Sequence, residues 1–201
     1  MALLLRPLLP DSIVFRLNVV EVSKDNRFVC GGFSDSTIKL WDITQTHTRN
    51  FGTVIKRKEN GVLIEEQGNE DYHVFAGHSG PIYGLSISPE NKFLLSSSED
   101  STGERKGALR HYLLTTLQVR LWSLETKSNL VCYKGHNYPV WDVDFSPLGY
   151  YFASASHDRT ARIWGTDNIF PLRILAGHLS DVDVSSLTSN FDLLLIPRQV
   201  C

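Results

Sequence analysis

Polar and apolar residues alternate along this chain in short runs, each closed by a turn. Ile38-Lys-Leu-Trp41, Val119-Arg-Leu-Trp122 and Ala161-Arg-Ile-Trp164 share one pattern; Phe28-Val-Cys-Gly-Gly32, Phe93-Leu-Leu-Ser-Ser-Ser98 and Tyr151-Phe-Ala-Ser-Ala-Ser156 share another. Such runs, rich in Val, Ile, Phe, Tyr and Trp and bounded by Gly, Pro, Asn and Asp, predict β-strands. The chain then carries strands near 13–22, 26–32, 36–43 and 48–56, next 81–88, 92–98, 117–124 and 129–133, and finally 139–145, 150–156, 159–165 and 171–175.

The strands come in repeats. Gly-His recurs at Gly77-His78, Gly135-His136 and Gly177-His178, and a Trp closes an alternating run at Trp41, Trp122 and Trp164. The histidines at 78, 136 and 178 are 58 and then 42 residues apart. The excess in the longer interval is located by comparing turns. Asp35-Ser-Thr37 and Asp158-Arg-Thr160 lead directly into the Trp-closed run, whereas after Asp100-Ser-Thr102 the segment 103–118 intervenes. Its removal would rebuild Asp-Ser-Thr-Val-Arg-Leu-Trp. It therefore reads as an insertion at a strand–strand turn, where added length costs little because loop-closure entropy grows only logarithmically. Leu109, Leu113, Leu114 and Leu117 sit at helix-compatible offsets within it. A retained intron would account for a segment whose excision restores the motif; an ordinary family-specific loop is the alternative. After Asp183 the period is lost, and Val184-Ser185 begins a divergent tail for which read-through into a second intron is the matching expectation.

A period near 42 with Gly-His and a later Trp-Asp resembles the WD40 repeat family. The resemblance implies an all-β fold: a WD40 β-propeller fragment of about three four-stranded blades plus the start of a fourth, with the ring incomplete. The expected divisions are an N-terminal extension at 1–12, repeat one at 13–56, a charged loop at 57–76, repeat two at 77–134, repeat three at 135–176, and an aborted fourth repeat with its tail at 177–201. Within each repeat the resemblance implies a structural hydrogen-bond network: His78, Asp100 and Trp122 in the second; His136, Ser154 or Ser156, Asp158 and Trp164 in the third; Asp35 and Trp41 in the first; His178 in the fourth. A set repeated per blade is architecture, whereas a catalytic triad is recognised by one constellation with defined roles. No enzyme activity is expected on that ground. The histidines mark equivalent places in different blades and so do not converge on one metal ion. No cofactor is implied.

Some phrases are more particular than the repeat consensus, above all Tyr133-Lys-Gly-His-Asn-Tyr-Pro-Val-Trp-Asp142 and Pro171-Leu-Arg-Ile-Leu-Ala-Gly-His178. They resemble the WD40 subunits of TFIID- and SAGA-type transcription complexes. That resemblance implies a nuclear scaffold in RNA polymerase II transcription whose partners are other protein subunits, histone-fold subunits among them, with no direct nucleic acid, membrane or small-molecule substrate. Two alternatives stand beside it: a nonproductive or regulatory truncated isoform, and an unrelated WD40 adaptor. An arc of three blades also exposes sheet edges and faces, which predicts a tendency to aggregate unless another chain completes the ring.

Composition agrees with this picture. Hydrophobic residues make up 42% and charged residues 21% of the chain, in the range of globular domains. The net charge of -2 supplies no general attraction to nucleic acid or anionic membrane. Cys30, Cys132 and Cys201 form no CxxC pair and suggest neither a disulfide framework nor a zinc cluster. The run Met1-Ala-Leu-Leu-Leu5 is cut by Arg6 and Pro7 and lacks a small-residue cleavage site, so no signal peptide is expected. The charged segment 44–76, with Lys56-Arg-Lys-Glu59 and Glu65-Glu66, reads as a solvated loop or, more sharply, a docking loop.

Overall fold

The alternating runs form strands throughout. The computed structural model of the chain describes residues 16–44, 56–59, 62–65, 72–100, 117–187 and 193–197. In chain order the strands are β1 (Leu17–Val22), β2 (Phe28–Phe33), β3 (Ile38–Asp42), β4 (Lys56–Glu59), β5 (Val62–Glu65), β6 (Tyr72–Phe75), β7 (Ile82–Ile87) and β8 (Phe93–Ser98). They continue with β9 (Leu117–Ser123), β10 (Ser128–His136), β11 (Val140–Phe145), β12 (Tyr151–Ser156), β13 (Ala161–Gly165), β14 (Pro171–Leu175), β15 (Val182–Leu187) and β16 (Leu193–Pro197). Three four-stranded antiparallel sheets result, ordered β1-β2-β3-β6, β7-β8-β9-β10 and β11-β12-β13-β14, with separate pairs β15-β16 and β4-β5.

The sheets are copies at the level of register. In each opening hairpin the pairing shifts by one residue near the start, between Leu17 and Val19, Ile82 and Gly84, Val140 and Asp142, and Val182 and Val184. A bulge at one place in every copy bends and twists the innermost strand alike. The first strand of each sheet packs on the sheet before it: β7 on β1 and β2, β11 on β7 and β8, β15 on β11 and β12. The stack does not close on itself.

Two apolar layers fill the spaces between complete sheets. Cys30, Ile38, Leu40 and Phe75 meet Ile82, Leu85, Ile87, Leu94 and Trp122 in the first; Leu95, Val119, Leu121 and Tyr133 meet Val140, Val143, Phe145, Phe152 and Trp164 in the second. Cys30 serves here as an apolar residue, burial pushing its thiol up to about 12. Glycine permits close approach at one joint: a Cβ on Gly84 would lie 2.9 Å from the Asp142 Cα of the next sheet. The face that the first sheet turns away from the second carries Leu17, Val20 and Val22, which hold the register positions of Ile82, Leu85 and Ile87. They are about half exposed, at 52%, 50% and 48%.

Three expectations need correction. The strand expected at 48–56 lies outside the described residues apart from Lys56, and its place beside β3 is taken by Tyr72–Phe75, with Ile38 opposite Phe75 and Trp41 opposite Tyr72. The segment 57–76 is therefore not a loop throughout, since β5 and β6 fall inside it and β4 overlaps its start. A constant strand spacing misplaced this strand; a second regularity locates it, because Phe75, Tyr133 and Leu175 each stand two residues before a Gly-His pair. The insertion also ends earlier than 118, since Leu117 and Gln118 pair with His136 and Lys134. Residues 103–116, including Leu109, Leu113 and Leu114, lie outside the described residues. Finally, the fourth repeat does not stop at Asp183: β15 and β16 pair with the same early bulge as the other opening hairpins. Strand periodicity survives there although the Pro and Ser signature does not.

Position within the stack sets the expected cost of truncation. Leu85→Ala, between two sheets, should cost about 2–5 kcal/mol in urea unfolding, as core Leu→Ala changes do, while Val20→Ala at the same register position should stay within about 1 kcal/mol. Equal losses at the two positions would contradict the assignment of covered and uncovered faces.

Candidate functional site

The residues singled out by the repeats meet on the two middle strands and adjoining turns of the second and third sheets. In the second sheet the His78 ring, carried just ahead of β7, donates from Nδ1 to the Asp100 carboxylate at the end of β8. Its Nε2 accepts from Ser96 Oγ at 2.7 Å, and the same oxygen accepts from Trp122 Nε1 at 2.8 Å. The third sheet repeats this: His136 Nδ1 to Asp158 Oδ2 at 2.7 Å, His136 Nε2 to Ser154 Oγ at 2.7 Å, and Trp164 Nε1 to Ser154 Oγ at 2.9 Å. One proton arrangement satisfies the whole relay. The carboxylate is ionised, the imidazole is neutral with its proton on Nδ1, and the hydroxyl donates to Nε2 while accepting from the indole.

Both aspartates also organise the neighbouring turn. Asp100 Oδ1 accepts from the backbone N–H groups of Ser79 and Gly80, at 2.5 and 3.1 Å, and from Ser98 Oγ at 3.2 Å. Asp158 Oδ1 accepts from Thr160 N at 3.0 Å and Thr160 Oγ1 at 2.5 Å. Arg120 and Arg162, each two residues before the Trp, approach the same carboxylates at 3.9 and 3.7 Å. The glycine of each Gly-His pair is a spatial requirement. A Cβ on Gly135 would lie 2.5 Å from Arg162 Nη1 and 3.0 Å from Trp164 Cη2, and Gly77 faces Arg120 and Trp122 in the same way.

Burial sets the electrostatics. Desolvation lowers the affinity of His78 and His136 for a proton, although the facing aspartates pull the other way. For Asp158, burial favours the neutral acid, but the hydrogen bonds from His136 and Thr160 outweigh it and bring the carboxyl down to about 2; Asp100 is lowered for the same reasons, with Ser79 and Gly80 as its backbone donors.

The outer repeats hold only parts of the set. Asp35 accepts from Thr37 N and Oγ1 at 3.0 and 2.6 Å, so the Asp-x-Thr turn is kept, with Ser36 at φ 72 where the third sheet has Arg159 at φ 63. Register puts Gly31 where Ser96 and Ser154 stand, and Trp41 instead lies against Tyr72, with centroids 5.7 Å apart. In the fourth repeat the register puts Leu195 at the serine position. Ser156, the other serine considered, does not touch the imidazole: its hydroxyl donates to the carbonyls of Tyr138 and Pro139. Ser96, Arg120 and Arg162 were missed by the motif reading, though Ser96 and Ser154 share a spacing of 18 from their histidines.

The His, Asp, Ser and Trp side chains satisfy one another inside stacked sheets, and the recurrence of the set in successive four-stranded sheets defines a repeat protein built of β-blades. The sequence profile of the family described as WD domain, G-beta repeat, matches residues 12–42, 69–102 and 127–165, just over half of the chain. The chain belongs to the WD40 family. Among curated proteins it is 38% identical over 174 residues to transcription initiation factor TFIID subunit 5 of Caenorhabditis elegans, covering 81% of this chain and 24% of that protein. It is 49% identical over 119 residues to the Arabidopsis thaliana protein of the same name, covering 59% and 15%. The Schizosaccharomyces pombe SAGA complex/transcription factor TFIID complex subunit Taf5 is 42% identical over 118 residues, 58% of this chain and 14% of the relative. The chain thus spans a quarter or less of the length of these relatives. A chain in the crystal structure of the mitotic checkpoint complex superimposes with a TM-score of 0.61 at 15% identity, covering 86% of this chain and 40% of that one, a likeness of fold alone.

Breaking the relay should cost more than breaking its isolated turn. His136→Ala leaves the Ser154 hydroxyl and the Asp158 charge without their shared partner and should cost about 2–4 kcal/mol in urea unfolding, against about 1 kcal/mol for Asp35→Ala. Both lowered pKa values make the fold sensitive to acid: stability present above pH 6.5 should fall as the unfolded histidines, but not the folded ones, take up protons, and fall again below about pH 4 as the unfolded aspartates do so. A neutral His136→Ala, or stability that rises on acidification to pH 5, would contradict the arrangement.

Proposed function

We propose that this chain is a non-catalytic interaction scaffold that works beside other protein subunits of a TFIID-type complex in RNA polymerase II transcription initiation, in the nucleus. The observation that carries this reading is the identity to TFIID subunit 5 across 81% of the chain, which includes both intact relays. Fold alone would not support it, since one architecture hosts many functions. The relays support the non-catalytic part. Each hydrogen-bonding atom of His136 and Ser154 is engaged within the sheet, and the same set occurs again at His78 and Ser96. A scaffold role also fits a near-even balance of 20 basic and 22 acidic residues, which leaves DNA to partners. The name of the S. pombe relative supports a SAGA-type complex as the second reading.

Affinity purification of the tagged 201-residue chain from nuclei, with quantification of the other TFIID subunits, tests the proposal. At least tenfold enrichment over an unrelated tagged WD40 control is expected. Recovery at the control level would contradict it, and enrichment of SAGA subunits alone would favour the second reading.

A further inference from the structure

The turns at one end of the third sheet carry apolar and aromatic residues at positions where their counterparts carry charged or polar ones. Register aligns Asp25-Asn26-Arg27 of the β1–β2 turn, Glu90-Asn91-Lys92 of the β7–β8 turn and Leu148-Gly149-Tyr150 of the β11–β12 turn. The three turns have one conformation. Their middle residues lie at φ 58, 55 and 77, and each donates its N–H to the carbonyl of Ser23, Ser88 or Ser146 at 2.9, 2.9 and 2.8 Å. The acid and base of the first two turns are thus compatible with the fold, and Leu148 and Tyr150 are not demanded by it. The next turn of the same sheet repeats the change: counting from Trp122 opposite Asn129 and Trp164 opposite Pro171, Ile169 and Phe170 stand where the second sheet has Lys127 and Ser128.

These four side chains are 54–69% exposed. The two turns are tied together, because Thr166 donates from N and Oγ1 to the Tyr150 carbonyl at 3.1 and 3.3 Å, and the buried Tyr133 hydroxyl donates to the Thr166 carbonyl at 3.0 Å. Asn168 Oδ1 accepts from Phe170 N at 3.0 Å and fixes the second turn. Aromatic and aliphatic anchors held this way lose little entropy on binding. Asp167 lies in the second turn and Glu90 of the second sheet beside the first, 3.9 Å from where a Cβ on Gly149 would be, whereas residues 147–150 and 165–170 contain no Lys or Arg.

The geometry points to a docking surface: Leu148, Tyr150, Ile169 and Phe170 insert into an apolar groove on another protein subunit whose rim carries Lys or Arg toward Asp167 and Glu90. Protruding turn tips require a concave partner, and the carboxylates of Asp167 and Glu90, the charged groups nearest the two tips, favour a basic rim over an anionic lipid surface, with Lys92 and Lys127 on the adjoining turns of the second sheet. The partner assignment rests on the proposed membership of a TFIID-type complex.

The test gives the third sheet the residues the second already uses, L148E, Y150K, I169K and F170S together, with Tyr150→Lys alone as a milder variant and Tyr138→Lys, at the opposite end of the sheet, as a control. Recovery of TFIID subunits from nuclei is measured, with light scattering for molar mass and a thermal melt for each protein. The inference expects recovery to fall at least tenfold for the fourfold variant and at least threefold for Tyr150→Lys, with melting unchanged and the control at the level of the original chain. Equal recovery for all would overturn it. A dimer of the original chain that the fourfold variant dissolves would also overturn it, by making a second copy the occupant. If the original chain itself recovers no TFIID subunits, the functional reading fails and the partner assignment falls with it, a result distinguishable because variant and original then match at background.

Discussion

The indole of Trp164 is held at its nitrogen by Ser154 and packed against Tyr133 of the neighbouring sheet, and the rest of the structure depends on both contacts being made at once. The nitrogen belongs to a polar relay that runs within one sheet, from Asp158 through His136 to Ser154. The ring belongs to the apolar layer between sheets: Tyr133, from the outermost strand of the second sheet, lies 5.7 Å from it, as Phe75 of the first sheet lies 5.3 Å from Trp122. A buried N–H without an acceptor is costly, and so is a large ring without a neighbouring surface. Sheets that must do both can be stable only in series.

That dependence explains where the repeats relax. Trp41 sits on the sheet whose far face is uncovered; it is half-buried, its serine position is Gly31, and the histidine position, 22 residues before Asp35, is occupied by Ile13 outside the described residues. The Asp35 turn survives because its purpose is local, shaping the link between β2 and β3. At the other end, His178 carries the motif's first residue while register puts Leu195 at the serine position. Intact relays thus coincide with the two sheets that have a neighbour on each side, the third being covered by β15 over β11 and β12, and partial ones with the two ends of the stack.

Much of this was legible in the sequence because period-two alternation, Asp-x-Thr turns and Trp closure are all local signals. The twelve residues from Tyr133 to Asp144 present the Gly-His pair, the bulged opening strand and the inter-sheet aromatics in a single stretch. What failed was spacing. Tyr72–Phe75 belongs to the first sheet despite a connection of nearly thirty residues, because a connection that long adds little to closure entropy once the strand has a partner to pair with. Register was also invisible: only the pairing of strands reveals that Gly31 replaces a serine, or that Leu148 and Tyr150 replace an acid and a base. A single exposed tyrosine carries no information until its counterparts are known to be charged.

The central claim is that the His–Asp–Ser–Trp sets are satisfied architecture in which a neutral imidazole bridges an ionised aspartate and a serine, and the protonation state of the two imidazoles tests it most directly. Nitrogen-15 NMR of histidine-labelled protein should find His78 and His136 neutral at pH 7, with the proton fixed on Nδ1, and taking up a second proton only at a pH below that of an ordinary histidine. Imidazoles that titrate near pH 6.5, or that exchange between both tautomers, would contradict the account.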